Sequence, residues 1–239
     1  MSEDTSPLAS LSLTHVYYDP TDPLSHLCAW LALLPQALCI VYVTLSLSTR
    51  EAEVLLTFAG QLACEAANFL LKRLIKEARP ARIPGKGYGM PSSHAQFVAF
   101  WSVSVALFLL VRYQPVPSPS SASHRRGVWP FVPRLVVSVV ALVTAIAVAA
   151  SRVYLSYHTP KQVCVGFAAG VVCAAGWFAI TAALRAWGIL DMLLKLEVAR
   201  VFLLRDLVVE EDPCWAGWER WEGLVRGREK ARGKGKKRN

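Results

Sequence analysis

Long apolar runs separated by short polar segments fill most of the first 184 residues. Five of them are 16 to 22 residues long, close to the length of about 20 predominantly apolar residues that a transmembrane helix needs. They are residues 27–47, 54–71, 95–111, 135–150 and 163–184. Gly, Ala and Ser recur within these runs, and such small residues let helices pack closely in lipid. The pattern predicts an all-α, polytopic membrane helix bundle with five transmembrane helices, the first of them kinked at Pro35.

The chain after the fifth run has a different pattern. Residues 188–204 mix apolar positions with four charged ones, which predicts an amphipathic helix in the membrane interface, with a sixth span as the alternative. The charged, Gly-rich chain after Arg226 is typical of disorder. We therefore expect three regions: an N-terminal segment, 1–26, a membrane-embedded domain, 27–184, and an interfacial helix with a basic tail, 185–239.

The composition excludes an ordinary soluble domain, since 54% of the residues are hydrophobic and the mean hydropathy is +0.36. Five of the six cysteines fall in or beside apolar runs, and their spacing does not match a zinc site. We expect them to be small hydrophobic residues in the membrane rather than a disulfide framework or metal ligands.

The distribution of charge predicts an orientation in the membrane. The net charge is +9, and residues 226–239 hold eight Lys and Arg against one Glu. More arginines lie in and beside the linker between the third and fourth spans, and five spans put this linker and the C-terminus on one side. The positive-inside rule makes that side cytosolic, so the N-terminus and the loops after spans two and four face away from the cytosol. The basic tail could bind nucleic acid, but anchoring at the cytosolic membrane surface is the favoured interpretation.

Candidate chemistry is concentrated in the two longer non-cytosolic loops. The first reads "KRLIKEARPARIPGKGYGMPSSH", residues 72–94, and the second reads "SRVYLSYHTPKQ", residues 151–162. Together the loops contain few carboxylates. Their candidate phosphate-binding cations and hydroxyls are Lys72, Arg79, Ser92, Ser93 and Arg152. Such a cluster is typical of a phosphate or diphosphate site. The alternative, that Lys72 and Arg79 only reach out to lipid head groups, is disfavoured by the motifs beside them.

Two spacings predict how these groups are positioned. Lys72 and Arg79 are two helical turns apart, so a continuing helix would place both on one face. Ser93 and Gln96 fit a capping box with Ser93 as the N-cap. The third span would then begin at the serines, and its free backbone N–H groups would point at an anion.

Two histidines add reactive groups to the cluster. His94 would lie in the first turn of the third span, where it could donate a proton to a leaving oxygen. His158 lies in the second loop, and its neutral imidazole could attack phosphorus to give a phosphohistidine. Glu65 and Asn68 share the helical face of Lys72 inside the second span, and we expect them to have an interhelical rather than a catalytic role.

In this order and spacing, the motifs resemble the type 2 phosphatidate phosphatase superfamily of membrane lipid phosphatases. That family's pattern is K-x6-RP, then PSGH, then SR-x5-H-x3-D. This chain has Lys72-x6-Arg79-Pro80, then Pro91-Ser92-Ser93-His94, then Ser151-Arg152-x5-His158-x3-Gln162. The resemblance covers residues 27–184 and implies a six-helix-type bundle that hydrolyses phosphate esters without metal or cofactor. It implies His158 as the nucleophile, His94 as the general acid, and the five cations and serines above as phosphate ligands.

Two positions depart from the superfamily pattern. Ser93 replaces a Gly, and Gln162 replaces the Asp that would accept a hydrogen bond from the nucleophilic His158 and orient it. A Gln carbonyl can accept the same bond, but it carries no charge to stabilise an imidazolium. At both positions the chain resembles the dolichyldiphosphatase branch of the superfamily. That resemblance implies removal of the terminal phosphate of dolichyl diphosphate at the lumenal face of the endoplasmic reticulum, which recycles the lipid carrier of N-glycosylation.

The residues leave other functions and other substrates open. The same cation cluster would serve a non-catalytic binder or flippase of polyprenyl phosphates, although the pair of histidines favours an enzyme. Phosphatidate, sphingoid-base phosphates and other isoprenoid diphosphates are rival substrates. The last four residues, "KKRN", resemble a dilysine signal through which Lys236 and Lys237 would bind the coat-protein retrieval machinery, and a match this short also arises by chance in a basic tail.

Overall fold

The computed structural model of the chain describes residues 9–11, 16–80, 87–114, 129–209 and 213–236. Within this part of the chain, five helical stretches are long and apolar enough to cross a membrane: Pro23–Thr49, Ala52–Ile75, Ser93–Arg112, Phe131–Tyr154 and Pro160–Ala186. Many large apolar side chains on their surfaces are exposed, as expected for helices surrounded by lipid. The predicted five-span helical bundle is confirmed.

The first span consists of two helices, α1 (Pro23–Leu31) and α2 (Leu34–Thr49). The Asp22 carboxylate caps α1 by accepting hydrogen bonds from two backbone N–H groups of its first turn. Pro35 lies in the first turn of α2, where its missing N–H costs no helical hydrogen bond. The predicted kink at Pro35 is therefore a break between two helices, and it leaves Ala32 fully buried at the junction.

Helix α4 is the centre of the bundle and packs on α3, α5 and α6. These elements are α3 (Ala52–Ile75), α4 (Ser93–Leu107), α5 (Phe131–Tyr154) and α6 (Pro160–Ala186). A π-helical turn, Phe108–Arg112, extends α4 to the end of its span. Val98, Ala99 and Phe100 of α4 are fully buried. A central helix surrounded on several sides explains why α4 lacks a polar face.

Two glycines set the distance between α4 and α6. A Cβ atom on Gly166 would lie 2.6 Å from the Ser92 carbonyl oxygen, and one on Gly170 would lie 2.3 Å from the Gln96 carbonyl oxygen. Any side chain at either position would therefore force the helices apart. The close approach holds the first turn of α4 against the first turns of α6.

A buried ionic cluster lies at the opposite end of the bundle, where α3 begins. The Glu53 carboxylate accepts hydrogen bonds from Arg112 and Arg185, at 2.9 and 2.7 Å, and Arg185 also pairs with Asp206. The Glu51 carboxylate accepts hydrogen bonds from Arg205 and from two backbone N–H groups that follow it. These bonds attach the chain after α6 to the end of the bundle.

The segment 188–204 forms two short helices, α7 (Ile189–Leu194) and α8 (Glu197–Val201). Neither approaches the length of a membrane span, so the sixth-span alternative is wrong. Met192, Val198 and Phe202 are exposed, which agrees with a segment at the membrane interface.

The chain beyond Arg226 is helical as far as Lys236, within α9 (Pro213–Lys236), so the expected disorder is wrong for these residues. Lys, Arg and Glu are good helix formers, and an ion pair of Glu222 with Arg226 supports the helix at i,i+4 spacing. Residues 237–239, which include half of the dilysine motif, lie outside the described residues.

The structure adds a short hairpin that the sequence pattern does not predict. Strands β1 (Ala9–Leu11) and β2 (Val16–Tyr18) pair antiparallel before α1. Val16 packs in a cluster with Leu155, and the Tyr17 N–H donates to the Tyr157 hydroxyl at 2.7 Å. The hairpin therefore contacts the second candidate loop.

Candidate active site

The two polar loops meet at one end of the bundle. The backbone N–H of Ser92 donates to the Gln162 carbonyl at 3.1 Å, and the N–H of Gly89 donates to the Glu77 carbonyl at 2.7 Å. The Gln162 side-chain amide reaches the Ala78 carbonyl at 2.8 Å. These bonds hold the end of α3, the start of α4 and the start of α6 together.

Lys72 and Arg79 do not lie on one continuous helix. Helix α3 ends at Ile75, and Lys76 is its C-cap with a left-handed backbone, φ 54°. The chain then turns toward α6, where it hydrogen-bonds with Gln162, so the prediction that a helix continues to Arg79 is wrong. Both cations are half-buried, and their charges act on one another, so they still face the same region.

Helix α4 begins one residue earlier than predicted, with Ser92 rather than Ser93 as its N-cap. The expected capping box does not form because the Gln96 side chain turns into the bundle. There it donates to the Cys64 carbonyl at 2.9 Å and accepts from Asn68 at 2.7 Å. The interhelical role predicted for Asn68 is confirmed.

The two serines differ in exposure at this helix start. Ser92 is fully buried, and its Oγ has no hydrogen-bond partner among the described residues. Ser93 is half-buried. The first N–H groups of a helix have no partner within it, so the start of α4 offers backbone donors beside an unpaired hydroxyl.

His94 lies in the first turn of α4, as predicted, and it contacts the break in the first span. Its Nε2 lies 3.1 Å from the Ala32 carbonyl oxygen. A carbonyl only accepts hydrogen bonds, so Nε2 carries the proton and Nδ1 is the free ring nitrogen. The charges of Arg152 and Lys72 act on this imidazole, as does His158.

Arg152 lies in the last turn of α5 as a buried cation, with only 3% of its surface exposed. Its guanidinium lies 4.1 Å from the centroid of the Tyr157 ring. Nε and Nη1 are buried and find no hydrogen-bond partner in the described part of the chain. Buried donors without partners are costly, so this guanidinium is placed to meet an anion.

His158 follows α5 in a tight loop that folds back on Arg152, whose carbonyl accepts from the His158 N–H at 3.2 Å. The imidazole is 4% exposed, and its Nδ1 lies 3.2 Å from Gln162 Oε1. Gln162 Nε2 donates to Glu77 Oε1 at 3.0 Å and to the Ala78 carbonyl, which fixes the amide orientation. Since Oε1 can only accept, His158 carries its proton on Nδ1, and Nε2 keeps a free lone pair.

The surroundings of His158 keep the imidazole neutral. Burial, which is the largest effect, together with the nearby charges of Arg79, Arg152 and Lys72, lowers its pKa to about 4. The hydrogen bond that His158 Nδ1–H donates to Gln162 Oε1 acts in the opposite direction and raises the pKa. At neutral pH the group is an unprotonated nitrogen nucleophile surrounded by cations, an arrangement suited to attack on a bound phosphate.

Sequence reasoning missed three features that position Gln162. Thr159 and Gln162 form a capping box at the start of α6, and the T-P-K-Q pattern could have revealed it. Gly89 leaves room for the Gln162 amide, since a Cβ there would lie 2.8 Å from it. Glu77 accepts from that amide, and no local pattern links residues that are so far apart in the chain.

Residues 52–186 match the PAP2 superfamily. A protein of Neurospora crassa, provisionally named a dolichyldiphosphatase, is 53% identical over 93% of this chain and 94% of its own. Human dolichyldiphosphatase 1 is 36% identical over 86% of this chain and 84% of its own. The dolichyldiphosphatase of Saccharomyces cerevisiae is 31% identical over 81% of this chain and 79% of its own.

A solved structure shares the fold. It is the crystal structure of a transmembrane PAP2 type phosphatidylglycerolphosphate phosphatase from Bacillus subtilis, with a TM-score of 0.55 and 21% sequence identity. The match covers 69% of this chain and 80% of that one.

Proposed function

Because the chain belongs to the PAP2 superfamily and is a multi-pass membrane protein, we propose that it hydrolyses dolichyl diphosphate to dolichyl phosphate and phosphate. The names of its relatives from Neurospora, human and yeast support this substrate. The observation that carries the reaction type is the arrangement around His158. A nitrogen with a free lone pair lies among cations, and two of these, Arg79 and Arg152, have buried donors without a partner among the described residues.

The reaction proceeds in two steps. His158 Nε2 attacks the terminal phosphorus, the bond from phosphorus to the bridging oxygen breaks, and dolichyl phosphate leaves with a proton from His94. Water then attacks the phosphohistidine, His94 accepts its proton, and phosphate is released with His158 restored. The Ala32 carbonyl accepts from the His94 Nε2–H, so Nδ1 is the nitrogen that takes up a proton before the attack, gives it to the leaving oxygen and regains one from water in the second step.

The remaining predicted residues bind the phosphate in this scheme. Lys72, Arg79 and Arg152 neutralise the charge that accumulates on its oxygens as the transition state forms. Ser93 contributes the first N–H group of α4, and the Ser92 hydroxyl, which has no partner among the described residues, adds a donor.

The proposed compartment is the lumenal face of the endoplasmic reticulum, where the product would re-enter the carrier cycle of protein N-glycosylation. The positive-inside rule supports this orientation, because Lys and Arg gather in the C-terminal tail. Retrieval through Lys236 and Lys237 belongs to the same proposal. A glycosylation acceptor inserted in the loop 81–86 should be modified, whereas one inserted in the linker 115–128 should not.

Phosphate release by membranes containing this chain tests the proposal, with dolichyl diphosphate compared with phosphatidate and EDTA present throughout. We expect fast, EDTA-resistant release from dolichyl diphosphate that is lost in His158→Ala. Preference for phosphatidate would keep the mechanism and replace the substrate. No release from either lipid would favour a non-catalytic polyprenyl phosphate binder.

A further inference from the structure

A carboxylate lies directly behind the amide that orients the candidate nucleophile. Gln162 Oε1 faces His158 Nδ1 at 3.2 Å, and Gln162 Nε2 faces Glu77 Oε1 at 3.0 Å. The side chains of His158, Gln162 and Glu77 therefore form a hydrogen-bonded row that ends in the Glu77 carboxylate. Glu77 follows the C-cap of α3, at one of the unspecified positions of the K-x6-RP motif, and its backbone carbonyl accepts from the Gly89 N–H.

The Glu77 side chain is ionised and oriented from two sides. Hydrogen bonds from Gln162 and then from Lys161 lower the pKa of its carboxyl group below the ordinary value. Lys161 Nζ lies 3.0 Å from Glu77 Oε2, which leaves Oε1 for Gln162. The row of side chains therefore ends in a negative charge at neutral pH.

We propose that Glu77 is a positioning residue that supplies, through the Gln162 amide, the orientation and negative charge behind His158. The inference rests on the proposed function, because it concerns the same nucleophile. Gln162 stands where the superfamily pattern has an Asp, so the charge behind the histidine is displaced by one side chain rather than lost.

The first effect of this row is to select a tautomer. With acceptors at Glu77 Oε1 and the Ala78 carbonyl, the amide must direct its NH₂ toward them and its oxygen toward His158. A flipped amide would donate to Nδ1 instead. The proton would then sit on Nε2, and the nitrogen facing the phosphate would have no lone pair.

The second effect concerns charge during the reaction. When Nε2 bonds to phosphorus, the ring keeps its Nδ1 proton and becomes cationic. The amide transfers no proton, so Glu77 acts through its charge, which polarises the Gln162 hydrogen bonds. The other groups whose fields reach this ring are positive or neutral: Lys72 from α3, Arg79 from the following segment, Arg152 from α5, and His94 from α4.

Glu77→Gln tests the proposal because it keeps the shape and one acceptor oxygen while removing the charge. We expect kcat to fall about 10–100-fold, with KM little changed. This is the range found when a group that hydrogen-bonds a metal-binding histidine is removed. Loss of the negative charge should also lower the pKa of His158, so the acid limb of the pH–rate profile should move to lower pH. A kcat and an acid limb equal to those of the wild type would overturn the proposal.

A second substitution separates this role from a structural one. Gln162→Asp in the Glu77→Gln background returns a carboxylate to the ring nitrogen, and we expect kcat to rise at least fivefold above Glu77→Gln alone. Glu197→Gln is the matched control, since the Glu197 side chain is 83% exposed and pairs with Arg200 away from the site, so kcat should stay within about twofold. A double variant no faster than Glu77→Gln would contradict the proposed role of Glu77.

A titration distinguishes failure of this inference from failure of the proposed function. The pKa of His158 is measured by NMR on histidine-labelled protein in micelles, with His158→Ala used for assignment. A lower pKa in Glu77→Gln supports the inference even if no lipid tested is hydrolysed, and an unchanged pKa overturns it. If Glu77→Gln does not fold, Glu77→Ala, which also removes the charge, is titrated in its place, and an unchanged His158 pKa in it overturns the inference.

Discussion

At the residue scale, unpaired donors define the candidate site. Arg152 has two buried nitrogens without a partner, and Arg79 Nε and Ser92 Oγ are in the same condition among the described residues. Unsatisfied buried groups destabilise a fold unless a ligand pairs with them. The proposed phosphate would pair with these donors and offset that cost.

Arg152→Gln tests whether the unpaired guanidinium binds an anion. We expect orthovanadate, an analogue of phosphate, to raise the melting temperature of the wild type in detergent, and the rise to disappear in the variant. Arg73→Gln is the control, because Arg73 lies exposed over the Phe69 ring outside the site. An equal rise in Arg152→Gln and the wild type would show that the guanidinium does not bind the anion.

The proposed mechanism assigns the acid side of the pH–activity profile to His158. The attacking nitrogen must be unprotonated, and the pKa of about 4 means that it stays so well below the ordinary value of about 6.5. The acid limb of kcat/KM should therefore lie near pH 4. Arg79→Gln removes a positive charge beside the ring, which raises the pKa and should move the limb to higher pH. A limb that moves to lower pH would contradict the assignment of this limb to His158.

At the element scale, the contact of α4 with α6 holds the helix start that carries the serines and His94. Because Gly166 and Gly170 lie against backbone carbonyls, the two helices approach as closely as their main chains permit. The same contact carries the bond from the Ser92 N–H to the Gln162 carbonyl, so packing and site geometry are coupled.

Gly170→Ala should separate α4 from α6, since its Cβ would lie 2.3 Å from the Gln96 carbonyl oxygen and 2.8 Å from the Ala99 Cβ. We expect a loss of stability of about 1–3 kcal/mol, typical of overpacking, and a lower kcat. Gly176→Ala, on the same helix with no atom within 4 Å, should be tolerated. Equal melting temperatures for the two variants would refute the close packing.

At the scale of the whole molecule, the bundle has two different ends. One end holds the cations and histidines, and the other holds the ionic cluster around Glu53, where two arginines pair with one buried carboxylate. Charges buried in pairs are strongly destabilising only when one partner is removed. The cluster therefore fixes the ends of α3 and α6 far from the chemistry.

Glu53→Gln should lower stability by about 3–5 kcal/mol, because it leaves Arg112 buried without its charge partner and Arg185 with Asp206 alone. The vanadate-induced rise in melting temperature should persist in any protein that folds, because the site is at the other end. Glu197→Gln breaks an exposed pair with Arg200 and should leave the melting temperature unchanged. A Glu53→Gln variant as stable as Glu197→Gln would argue against the cluster.

The sequence by itself determined the five spans, because burial in lipid requires uninterrupted apolar length that can be counted along the chain. It also identified the groups of the candidate site, since the motif residues are close in sequence within each loop. His94 lies in the first turn of α4, and Asn68 bonds across to Gln96, as the spacing of residues on a helical face predicts.

Only the tertiary structure decided how those groups are held. Helix α3 stops at Ile75 rather than continuing to Arg79, and α4 is capped by Ser92 because Gln96 bonds within the bundle. Glu77 meets Gln162 across 85 positions of the chain. Such contacts depend on how closely α4 and α6 pack and where the chain turns between helices, and no local pattern of residues encodes a distance between separate elements.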